Sequence, residues 1–180
     1  MLGYAATARL RSSDPPMTGK AYLERTDWWN TIEQLPAPRI AVIQDLDTAA
    51  GPASCVGEVH AAILKAFGCV GVITNGAVRD IPGVQRLGAF DLFAGAVAVS
   101  HSYSHLVDFG APVEIFGLRI APGDLLYADC HGVIAIPPEI AAELPAAAAK
   151  IRAHERQIVE ICESPDFSQD RLLKAIHGTD

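Results

Sequence analysis

Long apolar runs, basic clusters and paired cysteine motifs are all missing from this 180-residue chain, and each absence removes a class of function. The apolar stretches are broken by Gly, Asn, Asp or His well short of the roughly 20 residues a membrane helix needs, so no membrane span and no membrane partner is expected. No basic cluster exceeds a few residues, and a formal net charge of -7 with a pI near 5.3 opposes binding to a phosphate backbone. Nucleic acid is therefore not an expected partner. The four cysteines, Cys55, Cys69, Cys130 and Cys162, show no C-x-x-C spacing and follow no signal peptide, which reads as the reduced thiols of a cytoplasmic protein. Gly68 to Gly76 lacks the G-x-G-x-x-G order and no Walker sequence occurs, so no nucleotide cofactor is indicated.

What the chain does have is 50% hydrophobic residues in 19.1 kDa, enough to bury one full core in a single domain. Gly3 to Leu10 and Arg39 to Leu46 read as strands. Lys20 to Leu35 reads as a helix closed by Pro36 and Pro38, on which the adjacent Trp28 and Trp29 cannot both face inward. Asp47 to Ser54 is a small-residue loop leading to a turn at Gly57 and a helix ending near Gly68, and Cys69 to Ile73 reads as a buried strand. This is βαβ grammar. A short helix is expected over Ile81 to Leu87 and a strand over Asp91 to Val99. Val113 to Phe116, Leu118 to Ile120 and Leu125 to Pro137 then favour hairpins or a second antiparallel sheet. Pro138 to Glu163 is helical, with Pro145 either kinking it or starting a second helix, and Ser168 to Ile176 forms a last short helix.

Three charges stand out within this frame. Arg79 and Asp80 follow the Cys69 to Ile73 strand and emerge at its carboxyl end, where open α/β folds bind ligands. Glu58 lies 21 positions earlier, just ahead of the helical pattern Val59, Ala62, Ile63, Ala66, Phe67, which can return it to the same end of the sheet. A guanidinium holds a carboxylate or oxyanion in bidentate fashion, and hard carboxylate oxygens suit Mg²⁺ or Mn²⁺ that retains several waters. Together they suggest chemistry on a small anionic carbonyl compound. Simpler readings exist for each: Arg79-Asp80 as a structural ion pair, Glu58 as an acid in the first turn of its helix. His101-x-x-x-His105 sits in a polar loop without a nearby acid and reads as substrate-facing or subunit-facing rather than as a zinc site. Asp129 reads as a local hydrogen-bonding residue and His131 as a turn residue, while Cys55 and Cys130 lack a paired histidine, which argues against a thiol nucleophile.

The spacing of Glu58 to Arg79-Asp80, the run Gly76-Ala77-Val78-Arg79-Asp80, and the later Ile120-Ala121-Pro122-Gly123-Asp124 and Ala128-Asp129-Cys130-His131-Gly132-Val133-Ile134-Ala135-Ile136-Pro137 resemble the family of the regulator of ribonuclease activity A. That RraA-like family includes the 4-hydroxy-4-methyl-2-oxoglutarate and 4-carboxy-4-hydroxy-2-oxoadipate aldolases. The likeness runs from about Gly3 to about Phe167. It implies an α/β/β/α sandwich of the swivelling β/β/α type, assembled as a homotrimer or a dimer of trimers with the site between subunits. Residues 138–180 are implied to pack as C-terminal helices on a neighbouring subunit. Family members usually begin with a leading helical segment for which this chain shows no counterpart.

By the same resemblance Asp80 holds Mg²⁺ or Mn²⁺, Arg79 binds the oxygens of a small 2-oxo acid, and Gly57, Glu58, Val59 and His60 offer backbone N–H groups to the pyruvate carboxylate. Glu58 also contacts water at the metal, at a position where the aldolases often carry Asp; the extra methylene moves the carboxylate by about one bond length. Glu155 matches a C-terminal glutamate that approaches a neighbouring subunit's site, with Glu160 a rival in register. The implied function is divalent-metal-dependent carbon–carbon lyase action on 2-oxo acids, yielding pyruvate, with oxaloacetate decarboxylation by the same electron sink. The alternative is a non-enzymatic regulator that binds and inhibits a ribonuclease through protein contact. In the lyase reading the metal replaces a Schiff-base lysine, and Lys65, the lysine of the core region, is expected at a helix surface.

Overall fold

The computed structural model describes residues 1–16, 25–47 and 53–177. They divide into two compact units, Met1–Ile136 and Pro137–Asp180.

The first unit is built on an eight-stranded mixed sheet. Along its main path the order is β10-β9-β1-β2-β4-β3, with β1 at Leu2–Arg11, β2 at Arg39–Asp45, β3 at Ser54–Val56, β4 at Cys69–Val78, β9 at Leu125–Asp129 and β10 at Gly132–Ile136. β5 (Asp91–Val97) runs parallel to β4, and β6 (His105–Phe109) pairs antiparallel with β1. β2, β4, β3 and β5 all run parallel through the part of the sheet that matters for the site, so their carboxyl ends lie along one edge.

Both faces of the central strands are buried, which is why they read as continuous apolar runs. The two-residue period sends Ala41 and Ile43 of β2 to one face and Ile40 and Val42 to the other. On the first face, Trp28 and Ile32 of α1 (Arg25–Glu33), Ala61 and Leu64 of α2 (Glu58–Ala66) and Val84 of α3 (Ile81–Leu87) fill the core. On the second face lie Val113 and Ile115 of β7 (Val113–Ile115) and Ile120 of β8 (Leu118–Ile120), which form a separate two-stranded antiparallel sheet. A helical layer, a large sheet and a small sheet result. The tryptophans divide as expected: Trp28 is buried, while Trp29 is partly exposed and stacks on Phe67.

Three expectations need correction or completion. β4 does not stop at Ile73 but continues to Val78, because Asn75 spans the point where β2 ends: its side chain donates to the Asp45 carbonyl at 2.8 Å and accepts the Asp45 N–H at 2.7 Å. Leu125 to Pro137 does not enter the second sheet; it splits into the β9–β10 hairpin and extends the main one. The helix expected from Lys20 is described from Arg25, and residues 20–24 and 48–52 lie outside the described residues.

In the second unit, α4 (Leu144–Glu163) packs with α5 (Gln169–His177). Pro145 sits in the first turn of α4, where its missing N–H costs nothing, so it starts the helix rather than kinking it. Neither helix buries a side chain fully, and Ile151, Val159, Leu173 and Ile176 remain exposed.

Candidate active site

Gly57 leaves β3 in an extended conformation and caps α2 without a side chain, so the first N–H groups of that helix need acceptors from elsewhere. One comes from across the sheet. The Asp80 carboxylate accepts the Glu58 N–H through Oδ2 at 3.3 Å, while the N–H groups of Val59 and His60 make no hydrogen bond outside their helix among the described residues. Asp80 can reach there because its backbone is left-handed, at φ 56°, which turns its side chain back over Gly57 instead of onto α3. A non-glycine residue held in this region is a recurring mark of functional sites.

Arg79 precedes it at the carboxyl end of β4. Its backbone N–H donates to the Val56 carbonyl at 2.8 Å and its Nη1 to the Ser54 carbonyl at 2.9 Å, so the guanidinium lies against β3. Nε stands 3.5 Å from Asp80 Oδ2, with 23% of the Arg79 side chain and 48% of the Asp80 side chain exposed. Nη2 and Asp80 Oδ1 have no partner among the described residues. The two charges therefore form an ion pair that keeps a donor and an acceptor free, and the helix supplies two further N–H donors beside them.

Glu58 brings its backbone to this cluster but turns its carboxylate toward α3. Arg86 Nη2 stands 3.4 Å from Oε1, and a Cβ built on Gly83 would lie 2.3 Å from Oε2. The longer side chain that distinguishes this chain from an Asp-bearing one is accommodated by that bare glycine. Gly83 within a seven-residue helix is a sequence signal that could have pointed to such an approach, while Arg86 carried none.

His60 is 8% exposed and packs edge-on against Trp28, with ring centroids 6.2 Å apart. Its Nδ1 lies 3.2 Å from the Cys55 carbonyl, which makes Nδ1 the protonated nitrogen, and Nε2 is buried without a described partner. Burial lowers its pKa from 6.5 to about 4, helped by the positive charge of Arg25 and opposed by the Cys55 carbonyl. The native state thus refuses a proton that the unfolded chain accepts below about pH 6.5. Stability is expected to fall as the pH drops from 6.5 to 4, by up to about 3 kcal/mol. Urea unfolding across that range checks this. His60→Leu flattens the profile, and an unchanged pH dependence in the variant would exclude His60 as its source.

The remaining candidates separate. Lys65 Nζ donates to the carbonyls of Leu87 and Gly88, tying α2 to the end of α3. His101 Nε2 faces Arg25 Nη2 at 3.0 Å, whereas His105 Nδ1 faces the Tyr103 carbonyl at 2.7 Å; the two imidazoles share no contact. Burial pushes the Cys55 thiol up to about 11 and the Cys69 thiol to about 12, which keeps both protonated. Cys130, read from the sequence as lacking a histidine, has one: its Sγ is 3.4 Å from His131 Nδ1. Glu155 and Glu160 stand exposed on α4 of the second unit, beside Arg152 and Arg156. Sequence reasoning missed Asp45, a buried carboxyl at the end of β2 that accepts from Ser12 Oγ at 2.8 Å and from the Asp47 N–H at 3.0 Å. Burial raises its pKa.

The family model described as RraA-like, Aldolase/RraA, matches residues 1–135. The chain belongs to this family. A Burkholderia mallei relative named "Putative 4-hydroxy-4-methyl-2-oxoglutarate aldolase" is 30% identical over 128 residues, which cover 69% of this chain and 74% of the relative. A second relative, MJ0644 of Methanocaldococcus jannaschii, is 32% identical over 97 residues, 53% of this chain and 46% of that protein, so the chain spans under half of its length. The RraA-like fold is also that of Streptomyces coelicolor RraAS2, described as an unusual member of the RNase ES inhibitor RraA protein family. It superposes with a TM-score of 0.65 at 24% identity, covering 86% of this chain and 74% of that one. Among the described residues of this RraA-like chain, no helix is long and apolar enough to cross a membrane.

Proposed function

We propose that this RraA-like chain is a divalent-metal-dependent carbon–carbon lyase that cleaves 4-hydroxy-4-methyl-2-oxoglutarate-like 2-oxo acids to pyruvate and decarboxylates oxaloacetate. One observation carries the reading. Around the bare Cα of Gly57, a guanidinium, a half-exposed carboxylate and the open N–H groups of a helix converge. That is an anion-binding end with a hard oxygen ligand beside it.

The donor set fits Mg²⁺ or Mn²⁺, which are usually held by one or two carboxylates and keep several waters. Asp80 would hold the ion through the oxygen that Glu58 N–H leaves free. When bound, such an ion acts as a Lewis acid toward the 2-keto oxygen. The chain's own groups do the rest. The Val59 and His60 N–H groups bind the substrate carboxylate at the positive end of α2. Arg79 places its free Nη2 on the keto oxygen and stabilises the negative charge that develops there as the C3–C4 bond breaks. Glu58, braced by Arg86 and half-exposed, is assigned the proton exchange between solvent and substrate. Lys65 forms no Schiff base, since its amine is committed to the end of α3. The proposal includes a homotrimer or dimer of trimers in the cytoplasm, with Glu155, or Glu160 in register with it, completing a neighbouring subunit's site.

The test is pyruvate release from oxaloacetate and from 4-hydroxy-4-methyl-2-oxoglutarate, after chelation and after Mg²⁺ is restored. Turnover that returns with the metal supports the lyase. No turnover on either substrate overturns it and favours the ribonuclease-binding alternative, which is read directly by binding to a ribonuclease with and without Arg79→Ala.

A further inference from the structure

The β9–β10 turn carries a second, chemically different group of ligands. Asp129 closes β9 and pairs across the hairpin with Gly132, leaving Cys130 and His131 as the two-residue loop. Asp129 Oδ1 accepts the His131 N–H at 2.9 Å, which folds the loop back on the carboxylate. His131 Nδ1 then lies 3.3 Å from Asp129 Oδ1 and 3.4 Å from Cys130 Sγ. All three donor atoms fall within 4.8 Å of one another, and both loop side chains face solvent. The other carboxylate oxygen, Oδ2, receives the Tyr127 hydroxyl at 3.2 Å, which orients Asp129 with Oδ1 toward the loop.

These spacings suit a shared ion better than a shared proton. A nitrogen-to-oxygen distance of 3.3 Å is longer than an ordinary hydrogen bond. A tetrahedral ion bound at about 2.3 Å to sulfur and about 2.0–2.1 Å to nitrogen and oxygen separates neighbouring donors by roughly 3.4–3.6 Å, close to the 3.3 and 3.4 Å at which His131 Nδ1 stands from Asp129 Oδ1 and Cys130 Sγ. A single imidazole nitrogen also cannot satisfy a thiol and a carboxylate together, whereas a cation satisfies all three. We infer that Asp129, Cys130 and His131 form a three-ligand site for a borderline-soft divalent ion such as Zn²⁺, with the fourth position open to solvent. Binding expels the thiol proton to solvent and leaves a metal thiolate. The set of one sulfur, one nitrogen and one oxygen disfavours Mg²⁺, so this site is distinct from Asp80, and it does not depend on the lyase reading.

Co²⁺ is the probe, because its thiolate complexes absorb by charge transfer. Cys130 and Cys162 are the exposed thiols among the described cysteines, so the full chain is used in a Cys162→Ser background. The expected result is a charge-transfer band that saturates at one Co²⁺ per chain and is displaced by Zn²⁺, with Zn²⁺ slowing alkylation of Cys130 at least tenfold. Cys130→Ser abolishes the band, and His131→Ala weakens Co²⁺ binding at least tenfold. Asp80→Ala leaves both unchanged. Absence of the band, its persistence in Cys130→Ser, or its loss in Asp80→Ala overturns the assignment, whatever the outcome of the lyase assay.

Discussion

Asp80→Ala is expected to lower metal-dependent pyruvate release by a factor on the order of 10³, since it removes the proposed metal ligand together with its Lewis-acid contribution. The fold should tolerate the change. Asp80 lies at a helix start and is half exposed, so its loss costs one long hydrogen bond to the Glu58 N–H and the strain of placing alanine at a positive φ, roughly 1–2 kcal/mol for the latter. Asp80→Asn separates the two effects, because Asn adopts the left-handed conformation readily and still offers an oxygen to Glu58 while giving up the charge. Activity lost in both variants, with a thermal midpoint within a few degrees of wild type, assigns the loss to metal affinity. Full activity in Asp80→Asn would remove Asp80 from the metal site. Arg79→Lys is expected to fail nearly as badly as Arg79→Ala. A lysine cannot donate to the Ser54 carbonyl and present a second donor in the fixed fork that the guanidinium provides.

Gly57→Ala is the second large effect, and it acts through space rather than charge. The backbone there is extended, with φ at -127°, so alanine meets no conformational penalty. Its Cβ, however, would stand 2.5 Å from Asp80 Oδ2, 2.8 Å from Arg79 Nε and 2.9 Å from Arg79 Cγ. All three are side-chain atoms, so they can yield and the fold can survive. The pair that must yield is the proposed catalytic pair. Displacing such groups by about 1 Å costs on the order of 10² in rate. The expected outcome is kcat/KM down about 10²-fold with a thermal midpoint lowered by only a few degrees. Activity near wild type would mean that the Arg79–Asp80 geometry seen here is not the working one.

Much of the architecture was legible because it is local. The helix Ile81–Leu87 and the strand Leu118–Ile120 follow directly from turn residues flanking short apolar runs. Arg79 and Asp80 could be placed at a strand end because the apolar run before them had nowhere else to go. The length of β4 was not legible. An Asn-Gly pair commonly marks a turn, and the side-chain bridge from Asn75 to Asp45, 30 residues away, is what carries the strand through Asn75 and Gly76. Cys130 and His131 were read apart for a similar reason, since nothing in the order of residues says that a carboxylate will fold the loop until thiol and imidazole face each other.

Residue order alone accounts for the apolar runs of the parallel strands and for the delivery of Arg79 and Asp80 to the sheet edge, through local periodicity and nearby turn residues, and its motifs carry the resemblance to the family. Packing of separate elements is what makes Asp80 cap a helix begun 22 residues earlier, brings Glu58 onto Gly83 beside Arg86, and sets the Asp80 and Arg79 side chains 2.5–2.9 Å from where a Cβ on Gly57 would stand. Those relations depend on the direction of side chains from separate elements, and direction is settled only when the elements pack.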